Sequence, residues 1–396
     1  MDSSRLSANA GSSTPAPYWR LSNFYFFYFA SLGALVPYWG LYLKSLGFAP
    51  AAIGELMAII MATKIVSPNV WGYLADHTGR RMVIVRLGTL CAVLAFAGVF
   101  WGTGYWWLAA VMLVFSFFWN AALPQFEATT FSHLGEQAHR YSSIRLWGSI
   151  GFIVTVAGLG YVINQQGASV LPAALIVLIA GIWLASLIVP ERAAHHLPLD
   201  HEPLRRVLKR PAVAALLIVC FLMQASHGPY YTFYSIYLDA HGYAPRLIGV
   251  LWALGVVAEV GVFLVMHRLV PRFGVRRLLL ASLVLATLRW VMIGLFVDNL
   301  PLLIVAQTLH AASFGVYHAA AIQLIHGYFT GRHQGKGQAL YSSLSFGAGG
   351  ALGSYYSGLT WDTLGSTATY LIAAGISAAA FAVAWRFLGR SASPSD

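Results

Sequence analysis

Ionisable side chains are scarce in this chain, and several sit where a charge is expensive. Of its 396 residues only 9% are charged while 58% are hydrophobic, so each charge inside a long apolar run stands out. Lys64 lies ten residues before Leu74, about 15 Å into its run at 1.5 Å of helical rise per residue. Glu127 precedes His133 by six residues and Arg145 follows Arg140 by five, about 7–9 Å inside the edges of consecutive runs. Glu259 and Arg289 fall near the middle of two further consecutive runs, with His227 and His318 in neighbouring runs. A charge at the centre of a bilayer costs several kcal/mol and marks binding or ion movement by default.

The residue types suggest the chemistry. Glu127 and Arg145 are expected to pair, either as part of a substrate site or as a purely structural ion pair. Span two offers Lys64 no acid nearby, and the residue is too deep to snorkel to water. Two readings stand for it: a cation that binds an anionic substrate, or a partner for Glu127 from another helix. Glu259, Arg289, His318 and His227 could form a group that takes up and releases a proton. His310 and His326 read as helix-packing residues, the usual state of a buried histidine. Tyr28, Trp119, Trp147 and Tyr231 belong to an abundant aromatic set. Trp119 and Trp147 flank Glu127 and Arg145 in sequence, and such a wall beside cations suits a flat amphiphilic acid. Sugars also stack on tryptophan, so the wall alone does not choose. His195, His196, Asp200, His201 and Glu202 fit no metal-ligand spacing and read as a solvated loop. No metal and no cofactor other than a coupling proton is expected.

The elements that must hold these residues are apolar helices. An apolar helix of about 20 residues spans the hydrocarbon core, and twelve such runs lie near 20–43, 51–74, 82–102, 105–132, 141–163, 170–189, 212–238, 247–267, 277–297, 301–327, 338–360 and 366–388. The chain is duplicated: LYLKSLGFAPAAIGEL at 41–56 returns as IYLDAHGYAPRLIGVL at 236–251. Tyr141-Ser142-Ser143-Ile144 returns as Tyr341-Ser342-Ser343-Leu344, and Trp119-Asn120-Ala121-Ala122 as Tyr317-His318-Ala319-Ala320. An internal repeat of this length sets the architecture before anything else. The expected fold is an all-α membrane protein of two pseudo-symmetric six-helix bundles. Residues 1–19 read as a disordered tail, 20–190 as the first bundle, 191–210 as a cytoplasmic linker, 211–388 as the second bundle and 389–396 as a tail. Gly347-Ala348-Gly349-Gly350 in span eleven predicts close helix approach, and Pro37 and Pro124 predict kinks in spans one and four.

Gly72-Tyr73-Leu74-Ala75-Asp76-His77-Thr78-Gly79-Arg80-Arg81, between spans two and three, resembles the loop signature of the major facilitator superfamily. Asp76 is expected to cap a helix start and to pair with an arginine, so that Gly72, Asp76, Gly79 and Arg80 latch neighbouring helices. The second half keeps Gly274, Arg276 and Arg277 in the matching loop but lacks the acid. Arg145-Leu146-Trp147-Gly148-Ser149, the Glu259 and Arg289-Trp290 segments, Ala225-Ser226-His227 with Tyr230-Tyr231, and His310 to His318 resemble the phenylpropionate permease branch, related to lactose permease and the nucleoside–proton symporters. The resemblance implies a proton-coupled symporter in a bacterial inner membrane, working as a monomer on a small-molecule substrate amid membrane lipid. Glu127 and Arg145 match a substrate-site pair of lactose permease, and Glu259, Arg289, His318 and His227 resemble its proton-coupling group; with Lys64, Trp119, Trp147, Tyr28 and Tyr231, the first pair is expected at the substrate and the second group at the proton. One departure is Ala321, where lactose permease has an acid a turn beyond its histidine. Aromatic carboxylates lead as substrates, with sugars or nucleosides as the alternative. A membrane enzyme or sensor is remote, since no HExxH, P-loop or nucleophile elbow is present.

Lys and Arg fall in alternate loops, at Arg80, Arg81, Arg86, Arg140, Arg192, Arg205, Arg206, Arg268, Arg272, Arg276, Arg277, Arg332 and Lys336, against Lys44 and Arg246 in the opposite set. The net charge of +11 therefore follows the positive-inside rule, and no nucleic-acid partner is expected from charges spread over short loops. Both termini and the linker should be cytoplasmic. A cysteine placed at Ala194 should be inert to an impermeant thiol reagent added to intact cells and react after permeabilisation; labelling of intact cells would invert the topology.

Overall fold

The computed structural model describes residues 16–192, 204–330 and 333–389. Most of the expected tails, the linker histidines and Arg332 lie outside the described residues. Ten helical runs are long and apolar enough to cross a membrane. One of them, Tyr105–Gln166, is 62 residues long and holds two passes joined by the 3₁₀ segment Gly135–Arg140. The serine- and glycine-rich helical stretch from His333 to Thr363 forms a further pass.

The passes are span 1 (Tyr18–Ser45), span 2 (Pro50–Thr78), span 3 (Arg81–Phe96 and Ala97–Phe100), span 4 (Tyr105–Leu134), span 5 (Tyr141–Gln166) and span 6 (Leu171–Leu187). Span 7 (Pro211–Ser226 and Gly228–Ala240), span 8 (Pro245–Phe273) and span 9 (Val275–Leu295) follow. Span 10 runs through Leu300–Thr308, Ala311–Val316 and Tyr317–Tyr328, span 11 through His333–Ser342, Ser343–Gly349 and Gly350–Thr363, and span 12 covers Ser366–Phe387. Tyr18 and Trp19, assigned to the tail by sequence, are already helical. Helices run unbroken through Pro37 and Pro124. The breaks lie elsewhere: span 7 is interrupted at His227, where Pro229 opens the second segment, and spans 10 and 11 each contain a π-helical turn.

The repeated Gly-x-x-Pro has a direct structural role. Gly47 and Gly242 take φ of 86° and 80°, a left-handed conformation that L side chains resist. Three residues on, Pro50 and Pro245 occupy the first turn of spans 2 and 8, where a missing N–H costs nothing. The same device turns the chain at equivalent places in both halves.

The halves meet most closely at the face opposite the basic loops. A Cβ added to Gly54 would lie 2.7 Å from Gly358 Cα, joining spans 2 and 11, and one on Gly160 would lie 3.2 Å from Gly249 Cα, joining spans 5 and 8. Gly54 and Gly249 are equivalent positions of the repeat, so one crossing is built twice. Span 11 is packed as its glycines predict: a Cβ on Gly347 would lie 2.8 Å from Ile65 Cγ1, and one on Gly353 2.7 Å from Ala225 O. Nearer the basic loops, Gly72, Gly79, Gly261, Gly327 and Gly335 make no such approach across the halves.

The latch residues differ from expectation. Asp76 lies in the last turn of span 2 and caps no helix start; the Glu191 carboxylate instead accepts from the Met82 N–H at 3.0 Å, at the start of span 3. Asp76 pairs with Arg81 at 3.3 Å rather than with Arg80, and the acid is 70% exposed, so the pair is worth about 0–1 kcal/mol. Gly79 closes span 2 with φ of 66°. Arginines do pin the basic-loop ends: Arg86 donates to Val189 O at 2.7 Å and Arg276 to Trp385 O at 3.0 Å, each tying the third helix of its half to the end of the sixth.

At the opposite face Lys44 Nζ meets Asp239 Oδ2 at 2.8 Å. These too are equivalent positions of the repeat, and the duplication has placed opposite charges on them. Lys44→Asp should separate the halves there, read as a longer distance between spin labels on the Gly47 and Gly242 turns. Both groups are about 40% exposed, so the shift should be at most about fivefold in population. Adding Asp239→Lys should restore the short distance.

Candidate functional site

In the first half the acid and the arginine are both present but do not pair. Glu127 Oε1 accepts the Tyr141 hydroxyl at 3.1 Å. The Arg145 guanidinium lies 3.6 Å over the Phe29 ring and 5.8 Å from that of Tyr25. Among the described residues no carboxylate lies within 4.0 Å of it. Local geometry explains this. A Cβ on Gly148 would come within 2.7 Å of both Arg145 Nη1 and the Phe29 ring, so the glycine of Arg-x-Trp-Gly lets the guanidinium lie down on Phe29. Arg145 thus remains beside Glu127 with its hydrogen-bonding edge unspent.

Lys64 is half-buried, and among the described residues no carboxylate lies within 4.0 Å of it; pairing with Glu127 is not what the structure shows. Its neighbour Thr63 faces span 4, accepting from Asn120 at 2.9 Å and donating to Ser116 at 2.9 Å. Successive residues on a helix differ by about 100°, which turns Lys64 from that contact toward span 11. A Cβ on Gly347 of span 11 would lie 3.4 Å from the Lys64 carbonyl carbon. Lys64 therefore sits on the seam between the halves.

The two tryptophans part company. Trp119 is 1% exposed and stacks on Tyr28 at 4.9 Å and 6°. Trp147 donates to the Tyr18 hydroxyl at 3.1 Å and meets Trp19 at 5.4 Å, at the start of span 1. Positions 145 and 147 are about 200° apart on the helix, so Trp147 does not form one wall with Trp119. Tyr28 instead continues the aromatic surface toward Phe29, at 5.4 Å.

In the second half Arg289 is 0% exposed. It donates to Ala306 O at 3.0 Å, Gln307 Oε1 at 3.0 Å, Ser313 Oγ at 3.2 Å and His310 Nδ1 at 3.1 Å. Its planar cation lies 4.1 Å over Tyr230 and 4.7 Å over Trp290. Glu259 does not touch it. Glu259 Oε2 lies 3.4 Å from His310 Nε2, so the histidine set aside by sequence joins the acid to the arginine. His318 bonds through Nδ1 to the Tyr341 hydroxyl at 2.8 Å, and His227 Nδ1 to Met223 O at 2.8 Å. The His227 ring meets Trp290 edge-on at 4.8 Å and lies 5.6 Å from Tyr231.

Sequence reasoning missed His310, Tyr141, Tyr341 and Phe29 as site residues. A signal for His310 existed: Gln307, His310 and Ser313 recur at three-residue spacing, a polar face on an otherwise apolar helix. The tyrosines were visible as the repeated Tyr-Ser-Ser, and each now holds an ionisable group of the helix before it. His310, Phe314 and His318 stack at 5.4 Å and 5.8 Å with interplanar angles of 5° and 2°. Residues four apart drift by about 40° on an α-helix; the π turn at Ala311–Val316 winds less per residue and offsets that drift.

Paired six-helix bundles of apolar helices, with one unpaired cation on the seam, another within the first half and a buried Arg–His–Glu chain in the second, make a multi-pass membrane protein. The comparisons agree. Residues 18–372 match the model of the MFS_1 like family. The probable 3-phenylpropionic acid transporter of Escherichia coli K12 is 31% identical, covering 88% of this chain and 92% of that protein. The maltose permease of Geobacillus stearothermophilus is 27% identical, covering 82% and 83%. Among solved structures a mutant of the nucleoside transporter NupG superposes with a TM-score of 0.81 at 17% identity, covering 94% of this chain and all of that one. The chain belongs to the MFS_1 like family, within the major facilitator superfamily of transporters.

Arg289→Lys keeps the charge but loses the planar fork that four acceptors share. It should lower stability by about 2 kcal/mol or more, read as the thermal unfolding midpoint in detergent. Arg145→Lys, which gives up ring stacking alone, should move that midpoint far less. Equal shifts would mean that the hydrogen bonds of Arg289 do not hold the second bundle together.

Proposed function

We propose that this protein is a proton-coupled symporter of small aromatic carboxylates working by alternating access. The observation that carries the reading is the pair of cations in the first half, Lys64 and Arg145, that lack a carboxylate within 4.0 Å among the described residues. An unpaired cation in an apolar surround is unfavourable unless something anionic completes it. Lys64 lies on the seam, where a substrate reached from either side would be held. Arg145 lies on Phe29, beside the stacked Tyr28 and Trp119 rings. A carboxylate held by Arg145 would leave its ring against aromatic side chains. The printed name of the E. coli relative, a 3-phenylpropionic acid transporter, supports the same substrate class. A neutral sugar needs no second cation.

The proton belongs to the second half. Glu259 is joined to the buried Arg289 through His310, and rocking of the two bundles would change its surroundings between the states open to either side. Taking up a proton there neutralises the charge that substrate binding otherwise leaves unbalanced.

The test is uptake into proteoliposomes under an imposed pH gradient, with 3-phenylpropionic acid, its amide and maltose compared. The acid should accumulate and the sugar should not. Lys64→Gln should weaken binding of the acid about ten- to a hundredfold, the value of a desolvated charge-assisted hydrogen bond, and barely affect the amide. Equal losses for acid and amide would make Lys64 structural and remove the anion reading.

A further inference from the structure

We propose that His310 is a positioning residue: a neutral imidazole fixed in its Nε2–H form, which ties Glu259 to Arg289 and leaves Glu259 as the seat of the coupling proton. Arg289 Nη1 lies 3.1 Å from His310 Nδ1. A guanidinium has only donors, so Nδ1 must present its lone pair. The ring proton is then on Nε2, facing Glu259 Oε2 at 3.4 Å. Arg289 selects the tautomer, and the tautomer turns an N–H, not a lone pair, toward the Glu259 carboxylate.

Protonating His310 would set an N–H against an N–H and a second cation beside a fully buried one. It would also strip the fully buried Arg289 of an acceptor and leave a donor unsatisfied. Turning the ring to exchange its nitrogens is resisted on each side. Phe314 stacks on it at 5.4 Å and Tyr230 lies at 5.6 Å, while a Cβ added to Gly255 would already touch the His310 Cβ at 3.4 Å. Gly315 serves the other partner, since a Cβ there would lie 3.1 Å from Glu259 Cγ.

The charged and titratable groups around this chain come from five spans. Glu259 lies on span 8, Arg289 on span 9, and Tyr230, Tyr231 and His227 on span 7, while His318 of span 10 and, across the seam, Arg145 of span 5 both face Glu259. His227, once protonated, would face the Arg289 charge, and His318 is engaged with Tyr341. Within the Arg289–His310–Glu259 chain only the carboxylate has a free oxygen for a proton. The proton comes from water and returns to it, and no other bond forms or breaks. A protonated Glu259 offers the Nε2–H a weaker partner, so uptake loosens the tie through His310 to Arg289. This coupling step rests on the symport proposed above; the tautomer does not.

The test is nitrogen-15 spectroscopy of histidine-labelled protein in nanodiscs, with His310 identified by its absence in His310→Asn. From about pH 5 to 8, where an unperturbed histidine titrates near 6.5, His310 should keep one protonated and one unprotonated nitrogen, with Nδ1 unprotonated. An imidazolium within that range, or the opposite tautomer, overturns the proposal. Glu259→Gln supplies a check that needs no functional assay. Its amide oxygen can face the Nε2–H as the carboxylate does, so the His310 signals should keep their protonation pattern, whereas a histidine charged by Glu259 would lose its proton. If His310→Asn does not fold, the resonances that move on Arg289→Lys identify the ring instead. In vesicles Glu259→Gln should retain counterflow with a flat pH profile and lose pH-driven accumulation; accumulation that survives places the proton elsewhere. A neutral, fixed His310 in a protein that carries no aromatic acid would refute the proposed substrate alone.

Discussion

A guanidinium buried in an apolar helix bundle is the constraint around which the second half is arranged. Arg289 is 0% exposed and its guanidinium carries only donors, so its N–H groups have to find acceptors inside the bundle. Span 10 meets most of them through Ala306, Gln307, His310 and Ser313, and the Tyr230 and Trp290 rings cover its faces. A buried charge held this way stabilises little by itself, but losing any partner is costly. The packing of spans 7, 9 and 10 follows from that asymmetry, as does the π turn that keeps His310, Phe314 and His318 in one column.

The first half handles charge differently. Arg145 rests on a ring instead of a carboxylate, and Lys64 has no acid beside it among the described residues. Glu127 is held by Tyr141. One duplicated scaffold thus carries a self-satisfied charge relay on one side and unspent cations on the other.

The seam between the halves is made by glycine. Gly54 against Gly358 and Gly160 against Gly249 bring backbone to backbone at the face opposite the basic loops, and Lys44 meets Asp239 in the same layer. Small residues allow such approach in lipid, where no hydrophobic drive pushes helices together. Contacts of this kind are close without being sticky, because they are made of van der Waals packing and one exposed ion pair.

The sequence by itself determined the twelve passes, the duplication and the family, because each is a one-dimensional pattern. Apolar length reports a membrane span, and a repeated Gly-x-x-Pro reports a turn that needs a left-handed residue and then a residue without an N–H. It also located the ionisable side chains, since a charge in an apolar run is visible without a structure. Only the tertiary structure decided who partners whom. Glu127 with Tyr141, Asp76 with Arg81, Trp147 with Tyr18 and Glu259 with His310 depend on helix rotation and on where a missing Cβ lets two helices approach. A rotation of about 100° per residue turns one-residue differences into different neighbours. His310 was legible only as one more buried histidine, because its role lies in a hydrogen bond from Arg289, twenty-one residues away on the preceding helix.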